Sequence, residues 1–212
     1  MTQHFLARIL QRSPRGPGGA SARPPGRAGE TSFDPHRFYP AAWTARQLAQ
    51  LRPSLHVDVG SCATDVGIFS AFMPVIFVDG RPPQARLPGL ATVAGDVTRL
   101  PFPDKTLVSL SALHVIEQVR SGDPDEPLKG LGELQRVLGY RGSLYLATLV
   151  GRERVVREQR IFAPETILRA VPHLRLRRFS YVGDDLRPQD DAPLEEAAQQ
   201  HHGCGLFEFQ RG

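Results

Sequence analysis

Aspartates recur at the ends of short apolar runs in this sequence. Asp58 lies in Leu55-His56-Val57-Asp58-Val59-Gly60-Ser61, Asp79 closes Val75-Ile76-Phe77-Val78-Asp79, and Asp96 follows Gly95 and precedes Val97. A carboxylate in such a place can accept hydrogen bonds from a nucleoside, and a glycine such as Gly60 lets the backbone approach it closely. Asp79 follows the first run by about twenty residues, the spacing at which an acid can accept from both ribose hydroxyls. Farther on, His114 and Glu117 stand three apart, so on a helical turn they face the same way. A histidine there can accept a proton near neutral pH. Each feature also has a structural counterpart: a strand-to-helix turn at Gly60, an Asp-Gly-Arg-Pro turn at Asp79, and a His-Glu pair that only orients its loop.

The elements that would position these residues alternate. Leu55–Gly60, Val75–Asp79, Ala91–Ala94, Leu107–Leu113 and Ser143–Thr148 are short, apolar and rich in β-branched residues, as buried strands are. Helices are expected over Ala41–Leu51, ending before Pro53, over Thr64–Phe72 and over Leu128–Leu138. This rhythm predicts an α/β domain with a Rossmann-like, mostly parallel sheet and helices on both faces. The Gly80–Leu90 link holds three prolines, leaving little room for a crossover helix, so an irregular connection is expected there. After Gly151 a helix should begin near Pro164-Glu165. Leu174–Val182 and Leu206–Phe209 alternate like half-buried strands and should form a C-terminal antiparallel edge hairpin.

The motifs resemble those of the class I S-adenosylmethionine-dependent methyltransferases. Asp58-Val59-Gly60-Ser61-Cys62-Ala63-Thr64 is similar to their acid-x-Gly-x-Gly-x-Gly loop, with Cys62 and Thr64 standing where the family has glycines. Gly95-Asp96-Val97-Thr98-Arg99-Leu100-Pro101-Phe102-Pro103-Asp104 is the closest match, and His114 and Glu117 resemble the His-x-x-Glu that follows the fourth strand. The resemblance implies S-adenosylmethionine as cofactor, bound by Asp58, Gly60, Ser61, Asp79, Asp96 and Val97, with Asp96 on the adenine amino group. It also implies His114 or Glu117 as the base for a small-molecule or glycan-like acceptor. Arg160-Ile161-Phe162-Ala163-Pro164-Glu165-Thr166-Ile167, Phe179–Asp185 and Gly203-Cys204-Gly205-Leu206-Phe207-Glu208-Phe209 resemble one branch of that superfamily, a domain family of unknown function found in bacteria and nematodes. In that setting Gly-Cys-Gly begins the last strand.

Bulk properties narrow the alternatives. The 212 residues suit one domain with a tail, at 41% hydrophobic and 23% charged. Residues 1–32, rich in Gly, Pro and Arg, are expected to be a disordered basic tail, and residues 33–212 a single domain. Arg8, Arg12, Arg15, Arg23 and Arg27 against Glu30 account for the whole net charge of +4, so the body lacks the basic surface a nucleic-acid reader needs. No apolar run is long enough for a membrane span. Cys62 and Cys204 read as two reduced thiols, consistent with a cytoplasmic protein. His201, His202 and Cys204 supply too few ligands for zinc, so no metal is expected. A nicotinamide-dependent oxidoreductase would need the missing Gly-x-Gly-x-x-Gly. A methyltransferase-like scaffold that has lost its cofactor is the main competitor, favoured by Cys62 and Thr64. Oligomeric state is not legible.

Overall fold

A computed structural model describes residues 34–118, 123 and 125–212. The tail expected over residues 1–32 lies outside them. Helix α1 spans Pro35–Leu51, then come β1 His56–Val59, α2 Ala63–Phe69, β2 Val75–Asp79, β3 Leu90–Ala94 and β4 Leu107–Leu113. Helix α3 spans Glu126–Val137 and runs into β5 Leu138–Val150, followed by β6 Arg154–Val156, β7 Gln159–Ile161 and α4 Pro164–Ala170. Strand β8 Leu174–Val182, β9 Pro188–Gln189, α5 Leu194–Ala198 and β10 Gly203–Arg211 complete the described chain.

Eight strands form one sheet in the order β3-β2-β1-β4-β5-β10-β8-β9. Strands β1 to β5 are parallel, and β10 is antiparallel to both β5 and β8. The order reverses between β1 and β4, which places a ligand crevice at the carboxyl ends of those strands. Strand β10 enters between β5 and β8 rather than beside the edge. The expected hairpin partners do pair, but a third strand, β9, takes the outer position.

The period of two sorts the core to both faces. Val57, Val59, Ile76 and Val78 pack with Leu131, Leu134 and Ile167 on the α3/α4 side. Val75 and Phe77 pack with Trp43, Leu48, Val66 and Phe69 on the α1/α2 side. By the same alternation His56 and Asp58 face α1 and α2, and the His56 ring meets Phe69 edge-on, with centroids 6.2 Å apart.

Several boundaries differ from expectation for local reasons. Helix α1 begins at Pro35, six residues before Ala41, because Asp34 caps it by accepting the His36 N–H at 3.1 Å and proline suits the first turn. Helix α2 ends at Phe69 rather than Phe72, and α3 occupies Glu126–Val137 rather than Leu128–Leu138. Strand β5 starts at Leu138, not Ser143, because an irregularity between its pairings with Leu107 and Ser109 absorbs the Gly139–Gly142 stretch. No helix joins β2 to β3.

The β6–β7 hairpin has no expectation behind it. Its two turn residues, Arg157 and Glu158, both hold positive φ, 48° and 65°. Hairpins of this kind ordinarily carry Asn-Gly, and each non-glycine residue held so costs on the order of 1 kcal/mol.

The Leu-Pro-Phe-Pro-Asp run is pinned from α3. Arg136 donates to the carbonyls of Leu100 at 3.2 Å and Phe102 at 3.0 Å and to Asp104 at 2.6 Å, while Glu133 accepts the Leu100 N–H at 2.9 Å. Arg136→Ala should therefore lower stability by about 2 kcal/mol in urea unfolding, since it removes several charge-assisted bonds to one turn. A loss no larger than that of an ordinary surface arginine would show that the turn holds itself.

Candidate functional site at the carboxyl ends of the parallel strands

Register brings Gly60, Asp79 and Gly95-Asp96 to one rim. Val59 lies opposite Val78 and Asp79 opposite Ala94, so Gly60, Asp79 and Gly95 follow one another across three adjacent strands. The Gly60 N–H donates to Val78 at 2.8 Å and the Gly95 N–H to Asp79 at 3.0 Å, continuing the ladder past the strand ends. Gly60 has φ 66°, and a Cβ there would lie 3.1 Å from the Val115 side chain. The position suits glycine on both counts.

The three carboxylates do not share one cavity. Asp58 is wholly buried. It accepts the Ser61 N–H at 3.2 Å, the Ser61 hydroxyl at 2.8 Å and a short hydrogen bond from Ser111. The Ser61 hydroxyl also accepts the Leu113 N–H at 3.0 Å. Asp58 and Ser61 thus tie the loop after β1 to the end of β4. Burial pushes the Asp58 carboxyl up to about 6, against the pull of the Ser111 and Ser61 hydrogen bonds. Asp79 accepts the Arg81 N–H at 2.7 Å, making the turn read as its structural counterpart. Asp96 accepts both the N–H and the hydroxyl of Thr98, at 2.7 and 2.8 Å.

Asp96 and Val97 line a recess with Val115, Ile116, Gln118, Glu126, Pro127 and Gly130. Its volume is about 20 Å³, room for one water. The side chains at the altered glycine positions do not fill it: Cys62 and Thr64 are exposed, and Cys62 instead lines a groove of about 420 Å³ between α1 and α2. Val115 is the residue that packs over Gly60 and walls the recess.

His114 and Glu117 do face each other, with Nδ1 2.9 Å from Oε1. The His114 backbone has φ 59°, which turns the chain sharply at the end of β4. Its Nε2 lies 2.5 Å from the His36 carbonyl and 3.5 Å from the Cys204 sulfur. The other Glu117 oxygen accepts the Thr148 hydroxyl at 3.0 Å. A carbonyl can only accept, so Nε2 carries a proton; the carboxylate calls for a second on Nδ1. Burial, the largest single influence, opposes the charged ring, but Cys204 and Glu117 outweigh it and hold His114 well above its ordinary value. In this arrangement the imidazole presents no lone pair.

Residues without a sequence signal complete the rim. The ring of His36 stacks on His202 with centroids 5.5 Å apart, and His36 Nε2 is buried without a hydrogen-bond partner. Asp184 accepts the N–H groups of His201 and His202 at 2.8 and 2.7 Å. Beneath Asp58, Ser111 and Ser109 hold the His56 ring at 2.8 Å on each nitrogen. The polar alternation Ser109, Ser111 within an apolar strand was the only signal for that network. Among the described residues no group of three His, Cys, Asp or Glu side chains is gathered as a metal site, and no helix is long and apolar enough to cross a membrane.

This strand order, with an inserted antiparallel strand after five parallel ones, is the class I methyltransferase fold. Solved structures agree. The N-methyltransferase NodS from Bradyrhizobium japonicum WM9, in complex with S-adenosyl-L-homocysteine, matches over 99% of this chain and 98% of its own, with 14% identity and a TM-score of 0.58. The 1,6-didemethyltoxoflavin-N1-methyltransferase from Burkholderia thailandensis, with its acceptor and S-adenosylhomocysteine bound, matches over 87% and 93%, with 17% identity and a TM-score of 0.52. The [4+2]-cyclase SpnF matches over 78% and 80%, with 14% identity and a TM-score of 0.56. No protein-family model and no curated protein matches the chain. At such identities the likeness is one of fold, and a methyltransferase and a cyclase both use it.

Proposed function

We propose that this chain is an S-adenosylmethionine-dependent methyltransferase acting on a small-molecule or glycan-like acceptor. One observation carries the reading: Gly60, Asp79 and Gly95-Asp96 lie at or just past the carboxyl ends of three adjacent parallel strands, beside the reversal of strand order. The Gly60-Ser61 backbone would hold the amino-acid part of the cofactor, Asp79 the ribose, and Asp96 with Val97 the adenine. When bound, the cofactor supplies a sulfonium methyl group that is already electrophilic. The chain's own work is then to hold the acceptor in line and exclude water. Because both nitrogens of His114 face acceptors, we assign His114 and Glu117 to bracing the β4 end against α1, β5 and β10 instead of to removing a proton. The Arg160–Ile167 and Gly203–Phe207 runs, which build β7, α4 and β10, support placing the chain in the branch of unknown function that it resembles. Two free thiols, Cys62 and Cys204, support a cytoplasmic location.

The water-sized recess at Asp96 favours a second reading, a methyltransferase-like module that no longer binds the cofactor. Adenine entry would require the lining of this recess to open. Calorimetric titration with S-adenosylhomocysteine separates the two. Micromolar binding that Asp79→Ala weakens at least about tenfold, equivalent to about 1.4 kcal/mol, is the expected result. No heat at millimolar ligand leaves only the scaffold.

A further inference from the structure

A second recess lies across the Val115–Gln118 segment from the first. It has a volume of about 290 Å³ and is lined by Leu149, Val156, Arg157, Gln159, Ile161 and His202. The segment between the two recesses is shared structure: Val115, Ile116 and Gln118 wall the Asp96 recess. On its other side the Glu117 carbonyl accepts the Arg160 N–H at 2.7 Å, and Gln118 bridges to Gln159.

The polar groups in this recess are donors awaiting a partner. Among the described residues Arg157 makes no hydrogen bond or ion pair, and neither the Gln159 amide nor the His202 ring nitrogens make a hydrogen bond. Of the acids beside the hairpin, Glu153 is held by Arg160 at 2.6 Å and Thr166 at 2.7 Å, and Glu158, next to Arg157 in the turn, is not among the residues that line the recess. His202 is fixed in place by its stack on His36 and by its N–H bond to Asp184. Arg157 lines the recess from a turn whose two non-glycine residues both have left-handed backbones. Strain retained at a turn that carries a recess-lining cation is what a ligand clamp would require.

We propose that the recess under the β6–β7 hairpin binds a small organic oxyanion, a carboxylate or a phosphate ester on a single ring. Arg157 would take the oxyanion as a fork, Gln159 and His202 would add donors, and Leu149, Val156 and Ile161 would cover the ring. As the acceptor pocket of a methyl-transfer reaction the assignment rests on the function proposed above. As an anion site it does not.

The test is a titration of the full-length protein with benzoate, phenyl phosphate and neutral benzamide, followed by amide chemical shifts. At least one anion should bind at millimolar concentration or tighter and at least about tenfold better than benzamide, with shifts at Val156–Ile161 and His202. Which anion binds better tells carboxylate from phosphate. Arg157→Ala should weaken the anions about tenfold and leave S-adenosylhomocysteine affinity unchanged. Glu158→Gly, which relieves one left-handed residue and keeps the guanidinium, should raise Tm and retain binding. Failure of both anions at these concentrations, equal binding of benzamide, or an unchanged affinity in Arg157→Ala overturns the proposal. Failure of S-adenosylhomocysteine alone removes the methyl-transfer reading and leaves the anion site standing.

Discussion

Glu117→Ala is expected to cost about 3–5 kcal/mol of stability, the range for breaking a buried ion pair by deleting one partner. The Glu117 side chain is only 1% exposed and spends both oxygens, one on His114 and one on Thr148. Without it the imidazolium faces only the His36 carbonyl and the Cys204 sulfur, and the end of β4 loses its tie to β5. The sign of the pH dependence follows from His114. Its folded pKa is raised above the unfolded value, so the pair's contribution is complete below about pH 6.5 and fades as pH rises through the folded pKa. The gap between wild type and variant should therefore be widest near pH 5.5 and narrow only as pH rises through the raised folded pKa, read by urea unfolding. Glu117→Gln keeps an acceptor for Nδ1 and should cost less. A gap below about 1 kcal/mol at the acidic end would mean that the pair carries no net stability, as exposed pairs often do not.

The contrast between His114 and its surroundings shows how far reasoning from residue types reaches. The five parallel strands were legible because burial on both faces produces continuous apolar runs, and Val75–Asp79 and Leu107–Leu113 match to the residue. Alternation alone marked Leu206–Phe209 of the last strand, and its start at Gly203-Cys204-Gly205 came from the family resemblance. The β6–β7 hairpin was not, since Arg157-Glu158 carries none of the residues that a left-handed turn prefers. At the site, spacing placed His114 beside Glu117, but their partners come from α1, β5 and β10, as many as 90 residues away in the case of Cys204. No local pattern encodes such contacts. Asp58 shows the same limit: the strand ending in Asp-Val-Gly was visible, whereas the direction of its side chain depends on Ser111 of a strand 53 residues later.

That direction sets up the other large effect. Asp58→Asn should abolish a pH dependence worth about 3 kcal/mol and leave the protein at least as stable at pH 7.5. In the unfolded chain the carboxyl loses its proton near 3.8, whereas in the folded protein burial keeps the proton on until about pH 6. Between those values the folded state binds more protons than the unfolded state, so this group's contribution falls as pH rises and stays low above 6. Carboxylates held below their ordinary value, such as Glu133 by Arg136 and burial-opposed Asp184 by the His201 and His202 N–H groups, act in the opposite sense. The quantity to measure is therefore the difference between the wild-type and variant curves. Most of the network can accept the amide: Oδ1 keeps the Ser61 N–H, Nδ2 donates to Ser111, whose proton turns to His56 Nε2, and the ring moves its own proton to Nδ1 facing Ser109. The Ser61 hydroxyl, which shares the replaced oxygen, loses its acceptor and offsets part of the gain. Burial holds His56 neutral, down to about 3, so the reversal needs no charge. Asp58→Ala offers no acceptor to the Ser61 and Ser111 hydroxyls and should lose about 1–3 kcal/mol. Parallel wild-type and Asp58→Asn curves from pH 4 to 7 would show that the buried carboxyl is ionised throughout, its three donors sufficing to hold a charge inside the sheet.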